Sequence, residues 1–364
     1  YIFKNKKKDK FYDGLIKREH TLLQMYGRFS IILGSLLVSF INLLFFYNMD
    51  KMDASSVNDT YSKLYLFSFI IPLISSIGVF FYSIFAKKDQ YHKPKKLTSL
   101  DLKIFFTSLA FVVAALILGT INFRFSQEII LIISLFLISL LMNFLMRTLD
   151  NEKKLTIVGT AIIIFIYRSV PGPGPGINWF EIDVLKFDQF FFSVLSIISA
   201  SLTLLSIIYF KKFMIKTPIS KLFVILSIIS ALLYLPSIFM VYGIHNITSS
   251  LTNGIVDARF IAIINTGVES PIAQIAMIPL LAWIAKNAPN NYKATFFAVF
   301  ASFTNLALSA RELFTKYLNK IFIIKREIID YTTKELLEKS DYSSLDNLLI
   351  TVSICTLIVP LITV

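Results

Sequence analysis

Long apolar segments alternate with short polar segments along almost the whole sequence. A helix rises 1.5 Å per residue, so it needs about 20 apolar residues to cross a hydrocarbon layer of about 30 Å. Segments that meet or nearly meet this requirement lie at residues 27–48, 62–86, 102–122, 127–148, 155–170, 189–210, 220–243, 255–285, 293–310 and 344–364. The pattern therefore predicts about ten transmembrane helices.

The fifth segment, 155–170, is the shortest of the ten. At helical rise it reaches only about 24 Å. It ends at Arg168 and at an alternating run of proline and glycine, 171–176. We predict a short spanning helix here, with a re-entrant segment as the alternative.

Lysine and arginine are concentrated in every second polar segment. The segments on one side of the membrane contain 23 of the 36 basic residues, and they are 1–28, 87–103, 147–154, 211–221 and 286–293. The short segments on the other side contain five, which are Lys51, Lys63, Arg124, Arg168 and Lys186. Cytoplasmic loops are enriched in basic residues, so the first side is predicted to be cytoplasmic. Removing the fifth helix would break this alternation, which supports its presence.

The composition agrees with a membrane protein. Hydrophobic residues make up 55% of the chain and charged residues 16%, whereas soluble domains contain about 25% charged residues. The mean hydropathy is +0.70. A backbone in lipid must satisfy its own hydrogen bonds, which helices do. We therefore predict an all-α membrane protein, a polytopic helical bundle in the lipid bilayer, and exclude a water-soluble enzyme.

The chain offers little support for catalysis or for a bound cofactor. Its single cysteine, Cys355, excludes an internal disulfide and any multi-cysteine metal site. The histidines His20, His92 and His245 fall in predicted loops, and no phosphate-binding or hydrolase motif is present. The net charge of +13 is explained by the loop bias, so no nucleic-acid partner is expected. We predict no cofactor, no metal and no catalytic residue.

Four polar residues of the eighth segment are the main candidates for a functional site: Asp257, Arg259, Asn265 and Glu269. Glu269 lies about 24 Å along the helix from one end of 255–285 and about 21 Å from the other, so it lies deep in the membrane. Asn265 shares its helix face, and Pro271 frees carbonyl groups one turn earlier. Broken helices with an acid at the break bind solutes or coupling ions in transporters. The alternative is a structural role for Glu269 as the buried partner of an arginine.

The sequence is compatible with more than one role for three charged residues, Asp257, Arg259 and Arg168. Asp257 and Arg259 either belong to the site, stand in the external interface, or pair with each other. Arg168 is predicted to face a cavity, where it attracts an anionic solute or pairs with Asp257 or Glu269.

Two external stretches are unusual. The proline-glycine run 171–176 disfavours helix and is predicted to be extended, followed by Asp188 as the N-cap of the next helix. Between them, Glu181 and Asp183 are either metal ligands or simply solvated. Residues 311–340 have helical apolar spacing, which indicates an amphipathic helix along the external surface or a solvated extension of the ninth helix.

Two segments resemble a known family. The first is Pro279-Leu-Leu-Ala-Trp-Ile-Ala-Lys-Asn-Ala-Pro289, followed by Tyr292-Lys-Ala-Thr-Phe-Phe-Ala-Val-Phe-Ala-Ser-Phe-Thr-Asn305. It is similar to the junction between the tenth and eleventh helices of major facilitator transporters, closest to the folate-biopterin branch. The second, Tyr209-Phe-Lys-Lys-Phe-Met-Ile-Lys-Thr-Pro218, is similar to the cytoplasmic turn between the eighth and ninth helices of that branch.

The resemblance implies a division of the chain. Residues 155–364 would be the C-terminal six-helix bundle, and 1–90 would hold the last two helices of the N-terminal half. Residues 91–154 would be an inserted helix pair with a cytoplasmic linker. Four earlier helices would then be missing, and the chain begins at Tyr1 rather than Met, so we expect a fragment. Glu269 and Arg259 would line the central cavity.

The function implied is secondary active transport of a small, anionic or heteroaromatic solute by alternating access, with Glu269 as the candidate for proton coupling. We expect a monomer in a bacterial inner membrane. Two alternatives stay open. One is a membrane-embedded transferase acting on a lipid-linked sugar, with Glu181 and Asp183 as metal ligands, and the other is a lipid flippase.

Overall fold

The computed structural model describes residues 2–46, 54–85, 99–120, 125–147, 149–288, 293–329 and 336–363. Its elements are α1 (Ile2–Phe46), α2 (Ala54–Ser68), α3 (Ile70–Phe85), α4 (Ser99–Thr120), α5 (Ser126–Met146), α6 (Asn151–Ser169), α7 (Gly176–Asp183), α8 (Gln189–Tyr209), α9 (Lys211–Lys216), α10 (Ile219–Leu232), α11 (Leu235–Val241), α12 (Ile244–Leu251), α13 (Ala258–Asn287), α14 (Lys293–Ile321), β1 (Ile328–Ile329), β2 (Leu336–Glu338) and α15 (Leu345–Thr363). Most of the predicted cytoplasmic loop 87–103, together with Pro289 and Tyr292 of the family-like segment, lies outside the described residues.

The structure confirms a polytopic all-α membrane protein. Among the described residues, eight segments are long and apolar enough to span a membrane: Gly14–Phe45, Asp59–Phe85, Leu102–Thr120, Ser126–Met146, Gln189–Tyr209, Ile219–Val241, Ala258–Asn287 and Leu345–Thr363. The fifth and ninth predicted spans are also helical, as α6 and α14, although they carry more polar residues.

Helix α13 differs in one respect from the prediction. A broken helix was expected near Pro271, but α13 continues from Ala258 to Asn287 through both Pro271 and Pro279. Each proline removes only one donor and is tolerated where neighbouring helices support the bundle. Glu269 therefore lies on an intact helix rather than at a break.

The predicted amphipathic helix over 311–340 is wrong beyond Ile321. Helix α14 extends to that residue, which agrees with the alternative of an extension of the ninth helix. The chain then forms a small antiparallel pair, in which β1 pairs with β2 and Lys325 forms a bridge with Asp341. Charged side chains interrupt the apolar spacing here, and Lys325 pairs with Glu338 across the strands at 2.5 Å.

The helices pack around one main core. Helix α1 contacts α8 and α13, α6 contacts α14, and α10 contacts α15. The buried face of α14 recurs at helical spacing through Phe296, Phe300, Phe303, Ala307 and Ala310. This stripe directs α14 into the bundle.

The pair α4 and α5 joins the bundle through α14. Helix α4 packs on α5, and α5 packs on α14. At their external ends, Tyr317 donates a hydrogen bond to Glu128 over 2.5 Å, and the Lys316 ammonium lies 3.4 Å from the same carboxylate. The helix pair is thereby attached to one helix of the C-terminal bundle.

The loop charge bias leads to a topology prediction. In a variant without Cys355, a cysteine placed at the exposed Lys212 should react with an impermeant thiol reagent only from the cytoplasmic side. A cysteine at the exposed Asn246 should react only from outside. Labelling of both positions from one side of sealed vesicles would contradict the predicted helix count between them.

Candidate functional site

A cavity of about 640 Å³ lies among the helices of residues 155–364. Segments from α6, α7, α8, α10, α11, α13, α14 and α15 contribute to its wall. Four charged side chains line it, two basic and two acidic: Arg168, Glu181, Glu269 and Arg311. Charged groups inside a membrane bundle are costly and mark functional sites.

Helix α13 contributes Asn265 and Glu269 to one wall of the cavity. They are four residues apart, so both project from the same helix face. The Glu269 side chain is accessible within the cavity, and it interacts electrostatically with Arg311. The side-chain oxygen of Asn265 is buried and accepts no hydrogen bond from the described residues. The face therefore presents a carboxylate to the cavity, with the buried Asn265 oxygen one helical turn away.

Arg168 lies in the last turn of α6 and faces this cavity, as its placement in the sequence suggested. Its guanidinium donates to the sulfur of Met277 over 3.3 Å. The Arg168 guanidinium also interacts electrostatically with the positive charges of Arg28 and Arg311. No carboxylate of the described residues lies within ion-pair distance of the Arg168 guanidinium. The expected pairing with Asp257 or Glu269 is therefore not formed.

Arg311 of α14 is the residue that the sequence argument missed. It was counted with the charged stretch after the ninth helix, yet it lines the cavity and interacts with Glu269. The signal was present in the sequence. Arg311 follows Ala307 by four residues on the buried stripe of α14, so it continues an inward-facing row.

The proline-glycine segment (171–176) lies along the external part of α14. The Gly172 amide donates to the Thr315 hydroxyl over 2.9 Å, and the Asn319 amide donates to the Pro173 carbonyl over 3.3 Å. The two hydrogen bonds thus attach this segment to α14 at two positions one helical turn apart, Thr315 and Asn319.

Each glycine of this segment lies in close contact with a side chain of α14 or of the residues that follow α14. A Cβ at Gly172 would lie 2.9 Å from Nη2 of Arg311, and one at Gly174 would lie 2.7 Å from Nδ2 of Asn319. Gly174 also has a φ of +72°, which side chains rarely adopt. Gly172 thus packs directly against the Arg311 guanidinium.

Helix α7 carries the two acids that were considered as metal ligands, and the structure separates them. Glu181 lines the cavity. Asp183 instead accepts two hydrogen bonds from Arg326, at 3.1 and 3.0 Å, and one from Tyr342 at 2.6 Å. Two residues on a helix are about 200° apart, so the carboxylates point in different directions. A metal site built from both is not formed.

The two acids of α7 also differ in proton affinity. Partial burial raises the pKa of Glu181 to about 7, and the charge of Glu269 acts in the same direction. Burial opposes ionisation of Asp183 as well, but hydrogen bonds from Arg326 and Tyr342 hold its pKa below the usual value. At neutral pH Asp183 is ionised, whereas Glu181 is close to its midpoint.

Asp257 and Arg259 lie at the external end of α13, away from the cavity wall. Asp257 is the N-cap and accepts from the Phe260 amide over 2.8 Å. Arg259 pairs with Asp188 at 3.0 Å and lies over the Phe191 ring at 5.2 Å. The alternative in which the two pair with each other is wrong. Their predicted role in solute binding stays a prediction.

The predicted N-cap of α8 is confirmed. The Asp188 carboxylate accepts from the Phe191 amide over 2.7 Å, in addition to its contact with Arg259. One side chain thus connects the starts of α8 and α13.

A polytopic helical bundle around a cavity with opposed charges has the organisation of a membrane transporter. The comparison with protein families supports this class, because the BT1 family matches residues 37–364. The chain belongs to the BT1 family, a family of membrane transporters. It is accordingly not an enzyme, and the transferase hypothesis is set aside. No curated protein and no solved structure matches the chain.

Proposed function

We propose that the protein is a secondary transporter of the major facilitator type that binds a small solute in the cavity beside Glu269 and Arg311. The observation that carries this proposal is the set of four cavity-facing charges drawn from α6, α7, α13 and α14. Side chains from separate helices converge at one place, so relative movement of the helices would open or close the site to either side of the membrane.

An anionic solute is supported by the two arginines. Neither Arg168 nor Arg311 has a carboxylate of the described residues within ion-pair distance, which leaves guanidinium donors facing the cavity. Arginine binds carboxylate and phosphate groups with two parallel hydrogen bonds. A planar heteroaromatic body would fit the aromatic side chains of the wall, which are Tyr167, Phe192, Phe223 and Tyr234.

The proposed movement follows the predicted division of the chain. Residues 155–364 would move as the C-terminal bundle, and α1, which packs on α8 and α13, would represent the other half. The helix pair of 91–154 would move with the C-terminal bundle, because α5 packs on α14. The fragmentary N-terminal half, the monomeric state and residence in a bacterial inner membrane stay predictions.

Glu269 is also proposed to couple transport to the movement of a proton. Glu269 is open to the cavity and interacts electrostatically with Arg311. Closing the cavity around a bound anion changes both its hydration and its electrostatic partner. Its proton occupancy would then differ between the outward-open and inward-open states.

We expect the substitution Glu269→Gln to abolish accumulation driven by a proton gradient while leaving solute exchange largely intact. Glutamine keeps the shape and a hydrogen-bonding group but cannot titrate. The measurement is uptake into proteoliposomes, with and without a pH gradient, compared with exchange against preloaded solute.

The matched control is Glu312→Gln, because Glu312 is an exposed acid of α14 next to Arg311 in the sequence. It should transport like the wild type. Full accumulation by Glu269→Gln at several external pH values would exclude Glu269 as the coupling residue. Equal loss of exchange and accumulation would instead indicate a binding or structural role.

A further inference from the structure

Glu181 lines the cavity, but the proposed transport cycle assigns it no individual role. It belongs to α7, a short helix outside the spanning segments that lies between the proline-glycine segment and α8. Its side chain lines the same cavity as Glu269. We propose that Glu181 and Glu269 form a pair of carboxyl groups that shares one exchangeable proton in this cavity.

The orientation of Glu181 follows from the two faces of α7. Ile177 and Glu181, four residues apart, both line the cavity. Phe180 and Asp183 form the opposite face, where the Phe180 ring lies edge-on to Tyr342 with centroids 5.7 Å apart. Phe180 is only 6% exposed and packs in a second core with α15. Glu181 therefore points inward because the other face is occupied.

Asp183 acts as the positioning residue of α7. Its carboxylate binds Arg326 through a two-pronged contact and also accepts from Tyr342. Arg326 precedes β1 and Tyr342 follows β2, so the external strand pair is attached to the last residue of α7. This contact fixes the rotation of a helix of only 8 residues, which has little stability on its own.

The charges around Glu181 favour a shared proton. Glu269 of α13 is the charged group that acts on it most directly. Arg168 of α6 and Arg311 of α14 also face the cavity, together with Tyr167 and Tyr234. Arg311 interacts electrostatically with Glu269 and offers its carboxylate a nearby positive charge. Two nearby carboxylates are harder to ionise together than one, so the proton is expected to reside mainly on Glu181.

The second carboxyl offers a path for a proton. Glu181 belongs to the predicted external loop between α6 and α8, and Glu269 lies deeper on α13. Protons entering from outside would meet Glu181 first and pass to Glu269 when a bound anion or a closing movement alters its surroundings. No bond other than an O–H bond forms or breaks, and the carboxyl that loses the proton becomes the charged one.

The pair can be tested without a transport assay by infrared spectroscopy of the full chain in lipid nanodiscs, titrated in buffer alone. We expect the C=O band of a protonated carboxyl group to disappear with a midpoint about pH 7, because that is the pKa of Glu181. Glu181→Gln should remove this titration. Glu269→Gln should shift the midpoint to lower pH, because burial would still raise the pKa of Glu181 but the added repulsion from Glu269 would be gone.

Two further variants complete the test. Asp183→Asn weakens the contact with Arg326 and should lower the midpoint towards that of a solvated glutamate, since α7 would no longer hold Glu181 in the cavity. Glu312→Gln is the matched control and should leave the titration unchanged. A carboxyl group that still titrates about pH 7 in Glu181→Gln would overturn the proposal, and so would an unchanged midpoint in Glu269→Gln.

The inference rests on the proposed site but can fail separately from it. If Glu269→Gln retains gradient-driven accumulation while the infrared titration behaves as described, the shared proton stands and coupling through Glu269 falls. If Glu269→Gln loses accumulation while the neutral-pH titration is absent from the wild type, coupling stands and the carboxyl pair falls.

Discussion

Replacing Gly174 by alanine is expected to destabilise the transporter more than an alanine at any helical glycine with open space around it. The added Cβ would lie 2.7 Å from Nδ2 of Asn319, and the backbone has a φ of +72°. A non-glycine residue in this conformation costs about 1 kcal/mol or more. Asn319 cannot move aside freely, because it donates to the carbonyls of Pro173 and Thr315. Each of those hydrogen bonds contributes about 1 kcal/mol.

The matched control is Gly159→Ala. Gly159 lies in α6, and a Cβ there would meet no atom within 4 Å. Alanine is better than glycine in a helix by about 1 kcal/mol, so this variant should be as stable as the wild type or more stable. The two glycine variants are compared by thermal unfolding in the same detergent. The quantity measured is the fraction of protein that stays monodisperse at each temperature. Equal unfolding temperatures would show that the contact between segment 171–176 and α14 contributes no stability.

Removal of the Arg311 guanidinium should have the largest effect on transport. Arg311→Ala takes away the group that interacts with Glu269 and one of the two cavity guanidinium groups. A charge-assisted hydrogen bond to an anion is worth about 1.5–3 kcal/mol, which corresponds to about 10–100-fold in solute affinity. Since Glu269 is open to the cavity, the accompanying loss of stability should be smaller, about 1–2 kcal/mol.

The double variant Arg311→Ala, Glu269→Gln separates binding from folding. If Arg311 mainly balances the charge of Glu269, neutralising both should recover the unfolding temperature that Arg311→Ala loses. Solute binding, measured by isothermal titration on the purified protein, should stay weak in both variants because the guanidinium is absent from each. Normal binding by Arg311→Ala would rule out a direct contact between Arg311 and the solute.

Much of the fold could be predicted from the sequence, because spanning a membrane demands long apolar helices with few alternatives. The eight apolar segments of the described residues needed no tertiary information. The prediction failed after Ile321, where the apolar spacing suited a helix but the chain forms β1 and β2. Paired strands depend on contacts between residues that are distant in the sequence, such as Lys325 and Glu338, which are 13 residues apart. A local pattern does not contain such contacts.

The candidate site was predicted less completely. Arg168, Asn265 and Glu269 do meet at one cavity, since each is a polar residue with no other place than the bundle interior. The partner of Arg259 was not predicted, because Asp188 belongs to a different part of the chain, at the start of α8. Arg311 was missed because it was assigned to the charged stretch after the ninth helix, although it follows Ala307 by four residues on the inward-facing stripe of α14.

The alternating prolines of segment 171–176 reduce the number of backbone N–H groups that need an acceptor. Three of its six residues are prolines and have no amide hydrogen, so this stretch, which is non-helical up to Pro175, contains half the usual number of backbone donors. The amide of Gly172 is buried and is satisfied by the Thr315 hydroxyl. An irregular backbone is thereby tolerated beside a membrane domain, where each unsatisfied donor costs several kcal/mol. An alanine in place of Pro173 would add one N–H beside α14, and this donor would need an acceptor of its own.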